Sequence, residues 1–328
     1  MTRRLLGFCF ILGIASASEV RAQTDGGTLT SERRLAVVDS IVKALNRRYV
    51  FPDTAAKMDA DLRARAARGE FDAVADPATF ARLLTTDLQA LSHDKHLRVR
   101  MGGPDRPGGG HPSGPSDGQT GAFGRTERLA GDIAYVEVLS FGFPPEAVAD
   151  ETSRVMSAAA DAKALIIDLR ANGGGSPFTV ALIASYVFGA KPVLLNSLYF
   201  RPANRTDDFY TEPGVSGKKF GPAKPVFVLT SARTFSGAEE FAYDLQTQKR
   251  ATIVGETTGG GANPGGPVPL PYGLTLFVPT GRAINPITKT NWEGVGVKPD
   301  VAVAADSALD VAHRLARQAV TASAARGH

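Results

Sequence analysis

The sequence predicts an α/β fold, with βαβ units around a largely parallel sheet behind a small N-terminal helical region. Three observations predict it: apolar residues recur at helical spacing up to Leu91, a Gly/Pro-rich stretch breaks the pattern, and apolar strands then alternate with helical segments. In the first part, Leu35, Val38, Ile41, Val42 and Leu45 form one stripe after Ser31, with Glu32 in the first turn. A break at Phe51-Pro52-Asp53 precedes a second helix with Met58 and Leu62. A third starts at Asp76-Pro77 and carries Phe80, Leu83, Leu84, Leu88 and Leu91. Each stripe is narrow, as three helices sharing one small core require. Residues 31–101 are therefore expected to form a helical domain ending in a strand, and 102–124, rich in Gly, Pro, Ser and Asp, a linker.

Residues 125–328 carry the alternating pattern. Strands are expected at Ile133–Phe141, Ala164–Leu169, Val193–Phe200, Val226–Thr230 and Thr252–Val254, with helices at Glu146–Ala160, Pro177–Phe188 and Gly237–Thr247. Val268–Val278 reads as late strands joined at Tyr272-Gly273, and Asp306–Ala319 as a closing amphipathic helix. The three triple-glycine runs, beginning at Gly108, Gly173 and Gly259, differ in context and are not repeats.

Bulk properties narrow the function. Hydrophobic residues make up 43% and charged residues 21% of the 328, the balance of a folded soluble protein. The net charge is only +4, without a basic block or a basic stripe interleaved with aromatics, which argues against a nucleic-acid partner. Residues 1–22 read as a signal peptide: Arg3 and Arg4, then the apolar run Leu5 to Ala17, then small-residue sites at Ala15-Ser16-Ala17 and Val20-Arg21-Ala22. The run is shorter than the roughly 20 residues a membrane span needs. An exported chain with no membrane span after cleavage is expected. Cleavage also removes Cys9, the sole cysteine, and with it any disulfide, cysteine–metal site or cysteine nucleophile.

Two turns carry the chemistry. Thr230-Ser231-Ala232-Arg233-Thr234-Phe235-Ser236-Gly237-Ala238-Glu239 follows a buried strand and opens a helix, so Ser236 stands rigidly at the positive end of the helix dipole. The Gly237 N–H would face an oxyanion formed at a carbonyl attacked by Ser236. An ordinary N-cap serine would look the same, with Glu239 completing a capping box. Asp168-Leu169-Arg170-Ala171-Asn172-Gly173-Gly174-Gly175 ends another strand, and its glycines free backbone N–H groups to face inward. Gly174 or Gly175 supplies the second oxyanion donor. Asp168 and Arg170 read as structural partners. The glycines match neither a Walker loop nor G-x-G-x-x-G, so no nucleotide cofactor is expected.

In this order, Asp-Leu-Arg-x-Asn-Gly-Gly-Gly, Thr-x-Ser-x-x-Glu and Val-Gly-Glu-x-Thr make the chain resemble the C-terminal-processing (tail-specific) serine peptidases from about Ile133 to Val303. The resemblance implies a crotonase-type core and peptide or unfolded-protein substrates engaged near a C-terminus. One branch of that family uses a Ser/Lys dyad, but the position its lysine would take here is Gly261, within Gly259-Gly260-Gly261. That branch usually inserts a PDZ domain, for which 102–124 leaves no room. The other branch, which resembles the tricorn core protease and the interphotoreceptor retinoid-binding protein, uses Ser, His and Glu behind a helical domain. Leu91-Ser92-His93-Asp94-Lys95-His96-Leu97-Arg98-Val99 matches its histidine segment and places the base at His96. Trp292-Glu293-Gly294-Val295-Gly296-Val297-Lys298-Pro299-Asp300 matches its glutamate segment and places the carboxylate at Glu293. Lys95 stands where tricorn has an auxiliary serine.

Chemistry agrees with that carry-over. A serine hydroxyl needs an adjacent base, imidazole suits neutral pH, and a carboxylate on the far ring nitrogen would fix the tautomer. His93 is the alternative base. His93-x-x-His96 lacks a third ligand in the sequence, so no metal is expected. Glu256 reads as structural. A non-catalytic module for a hydrophobic, retinoid- or lipid-like ligand is the rival function. The oligomeric state leaves no trace in the sequence.

Overall fold

A computed structural model describes residues 28–102 and 120–326. The expected signal peptide and most of the expected linker lie outside the described residues. The fold is mixed α/β with a central sheet and a helical N-terminal region. Helices α1 (Ser31–Arg48), α2 (Pro52–Ala67) and α3 (Pro77–Ser92) fall where the stripes place them. Thr30 caps α1 and Asp76 caps α3 through side-chain bonds to the N–H groups of Arg33 and Thr79. Pro opens both α2 and α3, where its missing N–H costs nothing. Val38, Ile41, Val42, Leu45, Met58, Leu62, Phe80, Leu84 and Leu88 are buried in one cluster, whereas Leu35 and Leu91 are 50% and 40% exposed.

The cluster is not made by the helices alone. Strand β1 (Arg98–Met101) pairs antiparallel with β10 (Leu274–Pro279), which pairs with β9 (Gly265–Pro269). Leu270, Leu274, Leu276 and Val278 from this late hairpin are buried among the helical residues. The Val50 N–H also donates to the Pro279 carbonyl at 3.0 Å, and Arg201 reaches the Tyr49 carbonyl at 2.8 Å. Residues from the far end of the chain thus close the N-terminal core.

The central sheet has six strands in the order β12 (Val301–Ala302), β8 (Thr252–Gly255), β7 (Val226–Thr230), β4 (Ala164–Asp168), β3 (Ile133–Val138) and β2 (Phe123–Leu129). All neighbours run parallel except β3 and β2. Helices α4 (Pro145–Ala159), α5 (Pro177–Ser185) and α6 (Gly237–Thr247) make the crossovers, and α7 (Ala308–Arg326) covers the opposite face. Within β4, Leu165 and Ile167 face the α4–α6 side while Ala164 and Ile166 face α7, so the strand reads as continuously apolar. A second small sheet pairs β5 (Leu194–Phe200) with β6 (Arg205–Tyr210) and β11 (Gly281–Ile284).

Several strands lack a sequence signal. β6 reads Arg-Thr-Asp-Asp-Phe-Tyr and is mostly exposed, and β12 is two residues long. Phe123 and Gly124, expected in the linker, belong to β2, an edge strand whose exposed polar residues are held by pairing with β3.

Candidate active site

The site forms where two neighbouring parallel strands, β4 and β7, end side by side, with Asp168 opposite Leu229. The turns after these strands are tied together. Thr234 Oγ1 donates to the Leu169 carbonyl at 2.8 Å, Ser231 Oγ to the Arg170 carbonyl at 2.7 Å, and the Phe235 N–H to the Asn172 carbonyl at 3.2 Å. Asp168 and Arg170 are bonded to each other, and Tyr135 donates to Asp168 at 2.7 Å, so both are structural. Glu256 is also structural, accepting the N–H groups of Ala232 and Ala305.

Ser236 opens α6 with φ +53° and ψ −122°, a conformation costly for a residue with a Cβ. Such strain at a strand-to-helix turn lifts a side chain away from the backbone, as a nucleophile elbow does. Its own N–H donates to Glu239 at 2.8 Å, so the capping-box contact to Glu239 is present as well.

The two oxyanion glycines proposed after β4 separate. The Gly174 N–H donates to Asn172 Oδ1 at 2.8 Å, and the Asn172 amide donates to the Val138 carbonyl at 2.9 Å. The Gly174 N–H is therefore engaged within its own turn. Gly175 has φ +146°, and a Cβ built on Gly237 would lie 2.9 Å from the Gly175 nitrogen, so the turn after β4 packs directly against the start of α6. A Cβ on Gly175 would lie 2.0 Å from the Phe141 carbonyl carbon and 2.2 Å from the Gly142 nitrogen, both backbone atoms. Gly175→Ala is thus expected to lower stability by about 1–3 kcal/mol and displace the turn. Thermal unfolding of the purified variant checks it.

His96 lies just before β1, and β1 is held to β10 with Arg98 opposite Phe277. That pairing sets the ring between Phe235, centroids 4.6 Å apart, and Phe277, 5.9 Å apart. His96 Nε2 is 3.1 Å from Ser236 Oγ. His93 instead caps α3 in a left-handed conformation at φ +57°, exposed to solvent.

Two carboxyls sit beside the imidazole. Asp94 and Glu293 offer oxygens that, with a His96 ring nitrogen, all lie within 4.8 Å of one another. Asp94 Oδ1 is 4.0 Å from His96 Nδ1 and accepts the His96 backbone N–H at 3.0 Å. Asp94 Oδ2 accepts Tyr49 and Asn263 at 3.2 and 2.9 Å. Glu293 Oε2 accepts the Ala262 N–H at 2.5 Å, while Glu293 Oε1 is buried without a hydrogen-bond partner among the described residues. Burial, then the neighbouring Asp94 charge, pushes Glu293 up to about 8. Burial also raises Asp94, against the opposing pull of its donors. Such a trio could hold a cation, yet Asp94 already spends its oxygens on Tyr49, Asn263 and a backbone N–H. The Asp94 role had one sequence signal, an Asp-x-His spacing whose side chain can turn back to its own loop.

The glycine run of 259–261 explains why no lysine stands there. A Cβ on Gly261 would meet the Phe235 ring at 2.3 Å and His96 Cε1 at 2.7 Å, so the imidazole fills the space a side chain would use. Glu239 straps the run down, accepting Thr258 Oγ1 and the N–H groups of Gly260 and Gly261 at 2.5, 2.6 and 2.8 Å. Burial holds Glu239 up at about 7 while these donors pull it down. Lys95 Nζ donates to the Gly259 carbonyl at 2.5 Å, which gives that residue a bracing position.

A pocket of about 300 Å³, counting its open mouth, adjoins Ser236 and is walled by Gly175, Gly237, Glu240, Leu198 and Trp292.

Residues 132–303 match the description of peptidase family S41, and residues 29–119 that of the N-terminal domain of peptidase S41 in eukaryotic IRBP. A carboxy-terminal-processing protease of Bartonella bacilliformis is 28% identical over 181 residues, covering 54% of this chain and 40% of that relative's length. Among solved structures, a candidate peptidase of Parabacteroides merdae superposes with a TM-score of 0.62 at 20% identity, over 86% of this chain and 96% of that one. The tricorn protease gives 0.61 at 14% identity, over 89% of this chain and 37% of that one. These two likenesses bear on the fold. The family match spans more than half of the sequence, and the chain belongs to peptidase family S41.

Proposed function

We propose that this protein is an exported serine peptidase that hydrolyses peptide bonds through an acyl-enzyme on Ser236. The observation that carries the reading is the 3.1 Å separation of His96 Nε2 from Ser236 Oγ, within the reach a general base needs. His96 takes the hydroxyl proton as Oγ attacks the scissile carbonyl carbon. The oxyanion is received by the N–H groups of Gly175 and Gly237. The C–N bond then breaks, the amine leaving with the proton from His96, and a water deprotonated by His96 releases the acid. Glu293 orients the ring and stabilises the imidazolium. The imidazolium is the cation that the two raised carboxyls beside it lack, so its formation favours their ionised forms.

The substrates are peptides or unfolded proteins, engaged near a C-terminus as the family relation suggests. No described helix is long and apolar enough to cross a membrane. Against a lipid-carrying module stands the pocket beside Ser236, which is small, open to solvent and has a carboxyl in its wall. The test is reaction with a fluorophosphonate followed by mass spectrometry. Adduct on Ser236, abolished in His96→Ala, is expected. An unlabelled, folded protein would overturn the reading.

A further inference from the structure

The wall of the pocket beside the nucleophile contains chemistry that hydrolysis does not use. Glu240 lines it together with Ser236, Gly175 and Gly237, yet is only 6% exposed. Its Oε1 has no hydrogen-bond partner among the described residues. One turn further along α6 is Asp244, fully buried, whose Oδ2 likewise lacks a partner there. The neighbouring polar groups are neutral: Asn196 from β5 lies beside Glu240, and the Asn285 amide, just after β11, donates to Asp244 at 3.2 Å. The ionisable group bearing on Asp244 is Glu240 itself, another acid. Two buried carboxyls without a cation are expensive unless something brings one.

Position identifies what brings it. A substrate carbonyl whose oxygen sits at the Gly175 and Gly237 amides belongs to the residue preceding the scissile bond. The side chain of that residue enters the pocket continuous with those glycines. Leu198, Ala262, Pro264 and Trp292 line it with apolar surface suited to a methylene stem, Glu240 lines it too, and Asp244 stands one turn behind Glu240 on α6. The geometry points to Glu240, backed by Asp244, as the recognition group for a lysine-like, unbranched cationic side chain immediately before the scissile bond, an inference that rests on the peptidase reading. Hydrolysis then favours peptides carrying that residue, and the ammonium replaces the proton that the acids hold when the pocket is empty.

The pH dependence has a defined sign. Burial raises Glu240 to about 7 and, with Glu240 as neighbour, raises Asp244 further above the ordinary carboxylate range. As pH rises through 7 the pocket becomes anionic, while a lysine ammonium stays charged up to about 10. Dividing the rate for a lysine ligand by that for its uncharged isostere cancels the titration of His96 and Glu293, which serve both.

The experiment uses the full chain and three probes: a plain fluorophosphonate, and peptidyl diphenylphosphonates bearing lysine or norleucine before the phosphorus. The lysine probe is expected to inactivate at least about tenfold faster than the norleucine probe, a ratio that rises from pH 6 to pH 8.5 and falls toward one in Glu240→Gln. Equal or faster reaction of the norleucine probe, with the plain fluorophosphonate still labelling Ser236, overturns this specificity and leaves the peptidase reading standing. Failure of all three probes on folded protein overturns both. The pH course of the ratio in the parent protein decides the matter even where the Gln variant does not fold.

Discussion

Ser236→Ala is expected to lower turnover by about 10⁶-fold while leaving the fold intact, and His96→Ala to cost nearly as much. The reason is that the pair acts as one device: without the hydroxyl nothing attacks the carbonyl, and without the imidazole the hydroxyl keeps its proton. The double variant should therefore be no slower than either single one, because the residual rate comes from binding and the oxyanion donors alone. The Ser236 variant also relieves the side chain of a residue held at φ +53°, although alanine keeps the Cβ and most of that strain. Steady-state hydrolysis of a fluorogenic peptide, with circular dichroism to verify folding, provides the measurement. Peptidase activity within tenfold of the parent in Ser236→Ala would end the mechanism.

Glu293→Gln is expected to reduce kcat by about 10⁴-fold, the scale seen when an orienting carboxylate is replaced by its amide and the ring loses its tautomer. Stability moves in the opposite sense. Glu293 is raised from its ordinary 4.5 to about 8, so the folded state holds a proton that the unfolded chain releases. The stability this lends is fully present below pH 4.5 and is lost as pH climbs through 8. The amide carries no such proton, so the variant's unfolding midpoint should fall less steeply between pH 5 and 8, and at pH 8.5 should equal or exceed the parent's. Glu239, Glu240 and Asp94, raised by burial in the same direction, keep some slope in both proteins. Asp94→Asn separates the two carboxyls. Asp94 holds the His96 backbone N–H, Tyr49 and Asn263, so its loss should loosen the loop and lower the midpoint. Parent-like turnover in Glu293→Gln together with collapse in Asp94→Asn would move the orienting role to Asp94.

Local features explain what was legible in the sequence. The helices of the first region follow from stripes such as Ile41, Leu45, Met58, Leu84 and Leu88, because a 3.6-residue period leaves one face to bury. Likewise β4 and β7 are unbroken apolar runs flanked by helices, the signature of strands covered on both faces. Glycines at 174 and 175 announced a turn with φ beyond the reach of other residues, and the serine before Gly237 announced a strand-to-helix corner. The acids of the side pocket were also visible as letters. Glu240 and Asp244 lie four apart on one helix face, but nothing local says that this face is buried.

What the chain alone determined is therefore the inventory: which segments are helices and which are the apolar strands, which turns are rich in glycine, and that a serine, a histidine and glutamates are available. Only the tertiary structure decided which of them meet. His96 and Ser236 are 140 residues apart, and their approach depends on the late hairpin of β9 and β10 pairing with β1 and filling the helical core. It likewise decided that Gly174 is occupied by Asn172 whereas Gly175 stands beside Gly237, and that Gly261 must be bare because His96 occupies its side. Periodicity and turn chemistry act over a few residues and can be read in order. Strand pairing and shared space act between segments with no such order, and they are fixed only when the whole core closes.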